Sequence, residues 1–163
     1  MTPNNSMRNV LLASMLVASA ATTAAQPTRP PLTAAEFALQ AVSERPRTYA
    51  SFCIASNPAM KVGFERALSD LSMRVQDIGK SLLASEPFEP LTHKTVPQIL
   101  VDAFEEQNGE LLSQLKATNA APSCARFLAN VDRIDGDLLK AGVMQALSSV
   151  QAALAAIEKG MLK

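Results

Sequence analysis

The sequence predicts an all-α protein, an up-down helical bundle of four to six helices stapled by one disulfide. Several segments place apolar residues at alternating spacings of three and four, which is the pattern of a buried stripe along an α-helix. No segment alternates apolar and polar residues with the β-branched enrichment of a strand. Hydrophobic residues make up 48% of the chain but aromatic residues only 4%, so the core must be aliphatic and rich in Ala.

Residues 1–25 predict a secretory signal peptide. Arg8 supplies a positive charge, residues 10–21 form an uncharged apolar run, and small residues precede a cleavage site near Ala25. Because this run is short for a membrane span, we expect a cleaved signal and a periplasmic or secreted protein. The alternative is an uncleaved membrane anchor. No Cys lies near the cleavage site, which disfavours a lipoprotein.

Residues 26–32 form a Pro-rich linker, and residues 33–163 form a single helical-bundle domain. The first helix of that domain has a clear start, because Thr33 and Glu36 match a capping box and Leu32 can pack on Phe37.

Pro46 divides the next stretch in this prediction. The residue before a proline is disfavoured in helical geometry, so we expect the first helix to end near Glu44. Residues 46–55 then predict a second short helix. Its inward residues are expected to be Tyr49, Phe52 and Cys53.

Residues 57–85 predict one long helix, and we expect the rest of the chain to be organised around it. Asn57 suits the N-cap and Pro58 the first helical position. Six apolar residues follow at spacings of 4, 3, 4, 3 and 4: Phe64, Leu68, Leu71, Val75, Ile78 and Leu82. A stripe this narrow must be buried against other helices.

Residues 86–95 predict a loop, because Pro87 and Pro90 exclude a regular helix. We expect Phe88 and Leu91 to pack back onto the bundle.

The next helix begins at residues 95–98, where Thr95 and Gln98 match a second capping box. Its inward stripe is Val101, Phe104, Asn108, Leu111 and Leu115. Asn108 and Gly109 interrupt this stripe and predict a kink or a break.

Two further stripes follow a connector of small residues. The first is Phe127, Val131, Ile134 and Leu138, and the second is Val143, Leu147, Val150, Leu154, Ile157 and Met161. The step of five residues between them brackets Gly136, so we expect a turn there, with Asp135 or Asp137 capping the last helix. The match with the 57–85 stripe predicts that these two helices pack antiparallel.

Cys53 and Cys124 are the only cysteines, and export favours a structural disulfide between them. Closing the long loop between them would stabilise the fold by roughly 4 kcal/mol. A free catalytic thiol and an intermolecular bond are the alternatives. Neither has a supporting motif, since there is no C-x-x-C and no nearby His.

Two motifs resemble ligand sites without matching them. Residues 79–81 read Gly-Lys-Ser, but a phosphate-binding loop needs a glycine where this chain has Arg74. The acidic run at residues 132–137 lacks calcium ligands at the first and last loop positions, which are Val131 and Gly142.

Other reactive residues stand alone in the sequence. His93 is the single histidine, Glu105 and Glu106 lack the Glu-x-x-His pairs of dimetal bundles, and the methionines form no cluster. We therefore predict no catalytic, cofactor-binding or metal residues. His93 with a carboxylate from another helix is the least implausible base if the protein is an enzyme.

We expect an exported, non-enzymatic protein-interaction or envelope accessory module. Acidic and basic residues are balanced at 15 each. The chain therefore lacks the excess of basic residues that is typical of nucleic-acid-binding proteins. The expected partner is another protein, bound through a helical face or the 86–95 loop, with no stable membrane insertion. The alternative is a small-molecule or lipid-binding bundle, or a cryptic hydrolase, with Asn108, Gly109 and Gly136 at the mouth of its cavity.

Overall fold

The computed structural model describes residues 31–161, and the signal-peptide and linker predictions for residues 1–30 lie outside them. The described chain forms five α-helices and no strand, which confirms the all-α bundle. These helices are α1 (Ala34–Ser56), α2 (Lys61–Leu83), α3 (Gln98–Ala117), α4 (Cys124–Asp132) and α5 (Gly136–Glu158). Three short 3₁₀ turns lie between them, at Pro58–Met60, Glu89–Thr92 and Ala121–Ser123.

Helix α1 is continuous over 23 residues, so the predicted end near Glu44 and the separate helix over residues 46–55 are wrong. Pro46 lies inside the helix and removes one backbone donor. Burial on both sides of the proline offsets that loss, since Leu39 and Ser43 precede it and Ala50 and Cys53 follow it.

The capping box at the start of α1 is confirmed. The Glu36 backbone N–H donates to Thr33 Oγ1 at 3.1 Å, and the Thr33 N–H donates to Glu36 Oε2 at 2.8 Å. Leu32 packs against the core cluster that contains Phe37.

Helix α1 is also the centre of the bundle, because it contacts α2, α3, α4 and α5. The prediction that the 57–85 helix has this role is therefore wrong. Ala34, Ala35, Ala38 and Ala50 are all buried on α1, and such small side chains let several helices approach one axis.

The inward stripe of α2 is confirmed: Phe64, Leu71 and Val75 are buried, and the other three members are half-buried. The predicted start is wrong by one turn. Asn57 accepts a hydrogen bond from the Ala59 N–H at 3.2 Å, so it caps the 3₁₀ turn that precedes the helix.

Contacts between helices fix their relative directions. Leu39 near the start of α1 packs on Gly79 near the end of α2, while Cys53 and Phe64 share one cluster, so these two helices are antiparallel. Phe37 lies 5.6 Å from Phe104, ring centroid to centroid, and the end of α1 borders the end of α3, so α1 and α3 are parallel.

Helix α5 runs in the same direction as α2, so the predicted antiparallel packing of these two helices is wrong. Arg74 in α2 donates to the Ile134 carbonyl just before α5 at 2.7 Å. Further along both segments, Gln151 donates to the Pro87 carbonyl at 3.2 Å. Together α4 and α5 form the fourth leg of the bundle, and alternate legs of an up-down bundle are parallel.

The region before α3 differs from its prediction. Thr95 makes an isolated antiparallel bridge with Thr33 instead of a capping box, and Pro97 is the N-cap. The bridge ties the loop to the start of α1, where the Val96 N–H donates to the Leu32 carbonyl at 3.0 Å and the Ala34 N–H donates to the Lys94 carbonyl at 2.6 Å. Helix α3 continues through Gly109 without a break.

Phe88 and Leu91 are buried, as predicted for the 86–95 loop. Asp135 caps α5, as predicted, and accepts hydrogen bonds from the backbone N–H groups of residues 137 and 138.

The last member of each of the two final stripes is predicted wrongly. Leu138, which ends the stripe that begins at Phe127, is 65% exposed and Leu139 is buried in its place, while Met161, which ends the following stripe, lies beyond the helix and is 68% exposed. Because α5 begins at Gly136, the positions that face the core need not continue the spacing of the preceding helix. The buried residues Leu139 and Val143 show which face of α5 points inward.

The Cys53–Cys124 disulfide is formed, with the two Cα atoms 5.6 Å apart across a sequence separation of 71. It lies in a small cluster with Ala50 and Phe64, and Tyr49 stacks on Phe127 at 4.0 Å beside it. The bond therefore joins the end of α1 to the start of α4 inside the core.

Candidate functional site

The Gly-Lys-Ser triplet has a packing role. Gly79 lies in the interior of α2, where a Cβ atom would come within 2.6 Å of the Leu39 side chain. Only glycine lets α1 and α2 approach this closely.

The acidic residues near α5 are separated by their structural contacts. Asp132 lies 3.9 Å from Arg66, and Asp135 caps the helix. Across residues 31–161, no group of three His, Cys, Asp or Glu side chains is placed to hold a metal ion.

His93 lies one turn after Glu89, and its Nε2 is 3.1 Å from the Glu89 carboxylate on the exposed surface. Lys94 beside it pairs with Glu158 of α5 at 2.8 Å. The Lys94–Glu158 pair therefore joins the 86–95 loop to the end of α5, whereas the His93–Glu89 contact lies within the loop. Met73 and Met144 are exposed on separate helices and are not brought together.

Helix α3 is packed differently from its neighbours. It closely contacts α1, and no other α-helix within the described range approaches it comparably. Leu115 is its one buried residue, although Val101, Phe104, Asn108 and Leu111 face inward and are half-buried. The Asn108 side-chain oxygen is buried without a hydrogen-bond partner in this range.

An open groove of about 230 Å³ therefore lies between α3 and α5, with α1 as its floor. We call it the α3–α5 groove. Ten residues line it: Phe37, Ala41, Leu100, Ala103, Phe104, Gln107, Ala146, Ser149, Val150 and Ala153. None of the ten is charged, and only Gln107 and Ser149 are polar.

Each wall of the groove has the spacing of a helix face. The α3 wall uses positions 100, 103, 104 and 107, and the α5 wall uses positions 146, 149, 150 and 153. Both follow the i, i+3, i+4, i+7 pattern by which one helix packs on another. Each helix therefore presents a packing face that shares one residue with its core stripe, Phe104 or Val150, and extends beyond that stripe.

The two edges of the groove differ in charge. On α3, Glu106 and Glu110 are exposed and follow the lining residues Ala103 and Gln107 by three positions, which places them beside the groove. Neither makes an ion pair with another described residue. The α5 edge is uncharged, since no charged residue occurs at positions 141–157.

A second, larger depression of about 510 Å³ lies on the outer side of α1 and α2. Ile54, Leu68 and Met73 supply its apolar surface, while Arg47 and Glu65 supply both signs of charge. These two helices already pack on each other, so the depression is the surface crevice of a filled interface.

The sequence predicted correctly that Phe104 faces inward, but it did not predict the groove. Asn108, Gly109 and Gly136, which were expected at the mouth of a cavity, do not line it. The signal that could have found it was the second apolar stripe on α3 and α5, where Ala103, Ala146 and Ala153 widen the face beyond the core residues.

Helix α5 is long and apolar enough to cross a membrane by length and composition. A core helix of a soluble bundle passes the same test, and five of its residues are buried in this bundle. A scan against protein-family models gives no match, and searches of curated proteins and of solved structures give no significant match either.

Proposed function

We propose that the protein is an exported, non-enzymatic interaction module that binds another protein in the α3–α5 groove. The observation that carries this proposal is the open groove itself, in which two neighbouring helices each present an unfilled packing face. Packing faces at this spacing are complementary to polypeptide, since side chains of a partner can interdigitate with them.

The size and shape of the groove favour a polypeptide over a small molecule. Its volume of about 230 Å³ is below the roughly 300–1,000 Å³ of usual ligand pockets, and it is more open than an enclosed cavity. The cryptic hydrolase has no supporting observation here, because the lining contains Ser149 without a titratable side chain.

Export is the second part of the proposal. It rests on the sequence of residues 1–25, whose charged start, apolar run and small residues are typical of a cleaved signal. A disulfide that lies inside the core is compatible with folding in an oxidising compartment.

Site-specific photo-cross-linking tests the groove. A benzophenone amino acid at Ser149, which lines the groove, is compared with the same probe at the exposed neighbour Ser148, in cells that produce the full chain. We expect a defined protein adduct from position 149 and none from position 148. The purified partner should then bind the wild type and lose at least tenfold in affinity to Ala103→Phe, which fills the groove.

An equal yield of the same adduct from both positions, or none from position 149, would overturn the groove as the binding site. Export is tested separately by the intact mass of the isolated protein. A mature N-terminus at Gln26 in the periplasmic or secreted fraction supports it, and a chain that keeps residues 1–25 in the cytoplasm contradicts it.

A further inference from the structure

We infer that the occupant of the α3–α5 groove is a single amphipathic α-helix with basic residues along the edge that faces α3. This inference rests on the proposed function and names the partner's chemistry.

The shape of the groove fits a helix. Its two walls are helices, and α3 runs with α1 whereas α5 runs against it, so the walls are antiparallel to each other. Ala103, Ala146 and Ala153 on these walls have small side chains, which allow a third helix to approach at the usual interaxial distance of about 8–10 Å. Phe37 and Ala41 provide an apolar floor.

The charge of the groove selects the side chains of that helix. Its lining is uncharged, so the inward face of the partner must be apolar with small or medium side chains. Glu106 and Glu110 lie one turn apart on the α3 edge without an ion-pair partner among residues 31–161. Lys or Arg residues at the same spacing on the partner would complement them.

The asymmetry of the two edges also fixes how the partner lies. Helix α3 carries Asp102, Glu105, Glu106 and Glu110 against one Lys116, whereas α5 offers an uncharged edge of Ala, Ser and Gln. A helix with basic residues on only one side of its apolar face therefore has a preferred orientation in the groove. Ile99, which is 43% exposed, extends the apolar surface near the start of α3.

A designed peptide provides the probe. It has about 16 residues, with Ala and Leu on one face, Lys along one edge and Gln elsewhere, and spans about 24 Å as a helix. A second peptide replaces each Lys with Glu, and a third has the first composition in shuffled order. Binding to the mature protein is measured by fluorescence anisotropy at two salt concentrations, and peptide helicity by circular dichroism.

We expect the Lys peptide to bind in the micromolar range, gain helicity and weaken with salt. Glu106→Lys combined with Glu110→Lys should weaken binding of the Lys peptide at least tenfold. The Glu peptide should bind this double variant better than it binds the wild type. Glu105→Lys is the matched control for Glu106→Lys alone, because it makes the same change of charge on an exposed residue that does not line the groove, and it should change affinity less than twofold.

Three outcomes would overturn the inference. The shuffled peptide binds as tightly as the Lys peptide, Glu105→Lys weakens binding as much as Glu106→Lys does, or dodecanoate occupies the groove in place of the peptide. Any of these outcomes, while Ser149 still cross-links to one partner protein, would remove the helical, basic partner and leave the proposed function standing.

Discussion

Helices α2 and α3 have similar lengths and both pack on α1, but they are buried to different extents. Helix α2 buries Phe64, Ala67, Leu71, Val75 and Gly79, and it also contacts α4 and α5. Helix α3 buries Leu115 and closely contacts α1. The comparison teaches that the stability of the bundle is concentrated on the α2 side, whereas α3 leaves surface available for a partner.

Truncation of one aromatic residue on each helix is the strongest test of this difference. Phe64→Ala removes a fully buried ring and should lower the free energy of unfolding by about 3–5 kcal/mol. Phe104→Ala removes a half-buried ring that borders the groove and should cost about 1–2 kcal/mol. Urea denaturation of both variants measures the two values, and equal losses would refute the division of the bundle into two sides.

Removal of the disulfide should have the next largest effect. Cys53→Ala combined with Cys124→Ala is expected to cost about 2–5 kcal/mol, because the long loop between them is no longer closed in the unfolded chain. The bond lies beside Phe64, so amide hydrogen exchange should accelerate more at the start of α2 and in α4 than in the second half of α5. A variant as stable as the wild type would show that the bond adds nothing to the fold.

Gly79→Ala probes the close contact of α2 with α1. The new methyl group would meet Leu39, which is itself buried, so the side chain must leave its position. Overpacking should exceed the helix-propensity gain and leave a net loss of about 1–2 kcal/mol. Thermal unfolding measures it, and a raised melting temperature would contradict the tight α1–α2 contact.

Gly109→Ala is the counterpart on α3 and should have the smallest effect. A Cβ atom there meets nothing within 4 Å, so alanine gains helix propensity without a clash. We expect stabilisation by about 0.5–1 kcal/mol. A destabilised variant would indicate that α3 needs glycine at this position, and would weaken the contrast with Gly79.

Local patterns predicted much of the secondary structure. The capping box at Thr33 and Glu36, the α2 stripe, the burial of Phe88 and Leu91, and the cap at Asp135 all depend on residues within a few positions of each other. The Cys53–Cys124 pairing followed from counting cysteines.

The predictions that failed depended on distant contacts. Pro46 normally ends a helix, but α1 continues because residues on both sides of the proline are buried in the bundle. Thr95 bonds to the start of α1 rather than capping α3. Leu138 and Leu139 are equivalent by hydrophobicity, and only the packing of α5 decides which one is buried.

The groove could not be read from the sequence for the same reason. An Ala or Ser beside a core stripe is common on any helix, and its meaning depends on whether a neighbour covers it. By itself the sequence determined an all-α bundle, the helix starts at Thr33 and Asp135 and the disulfide, since propensity, capping and pairing act locally or by elimination. Only the tertiary structure decided that α1 is central and that α3 and α5 stand apart, because burial is a property of how helices are arranged.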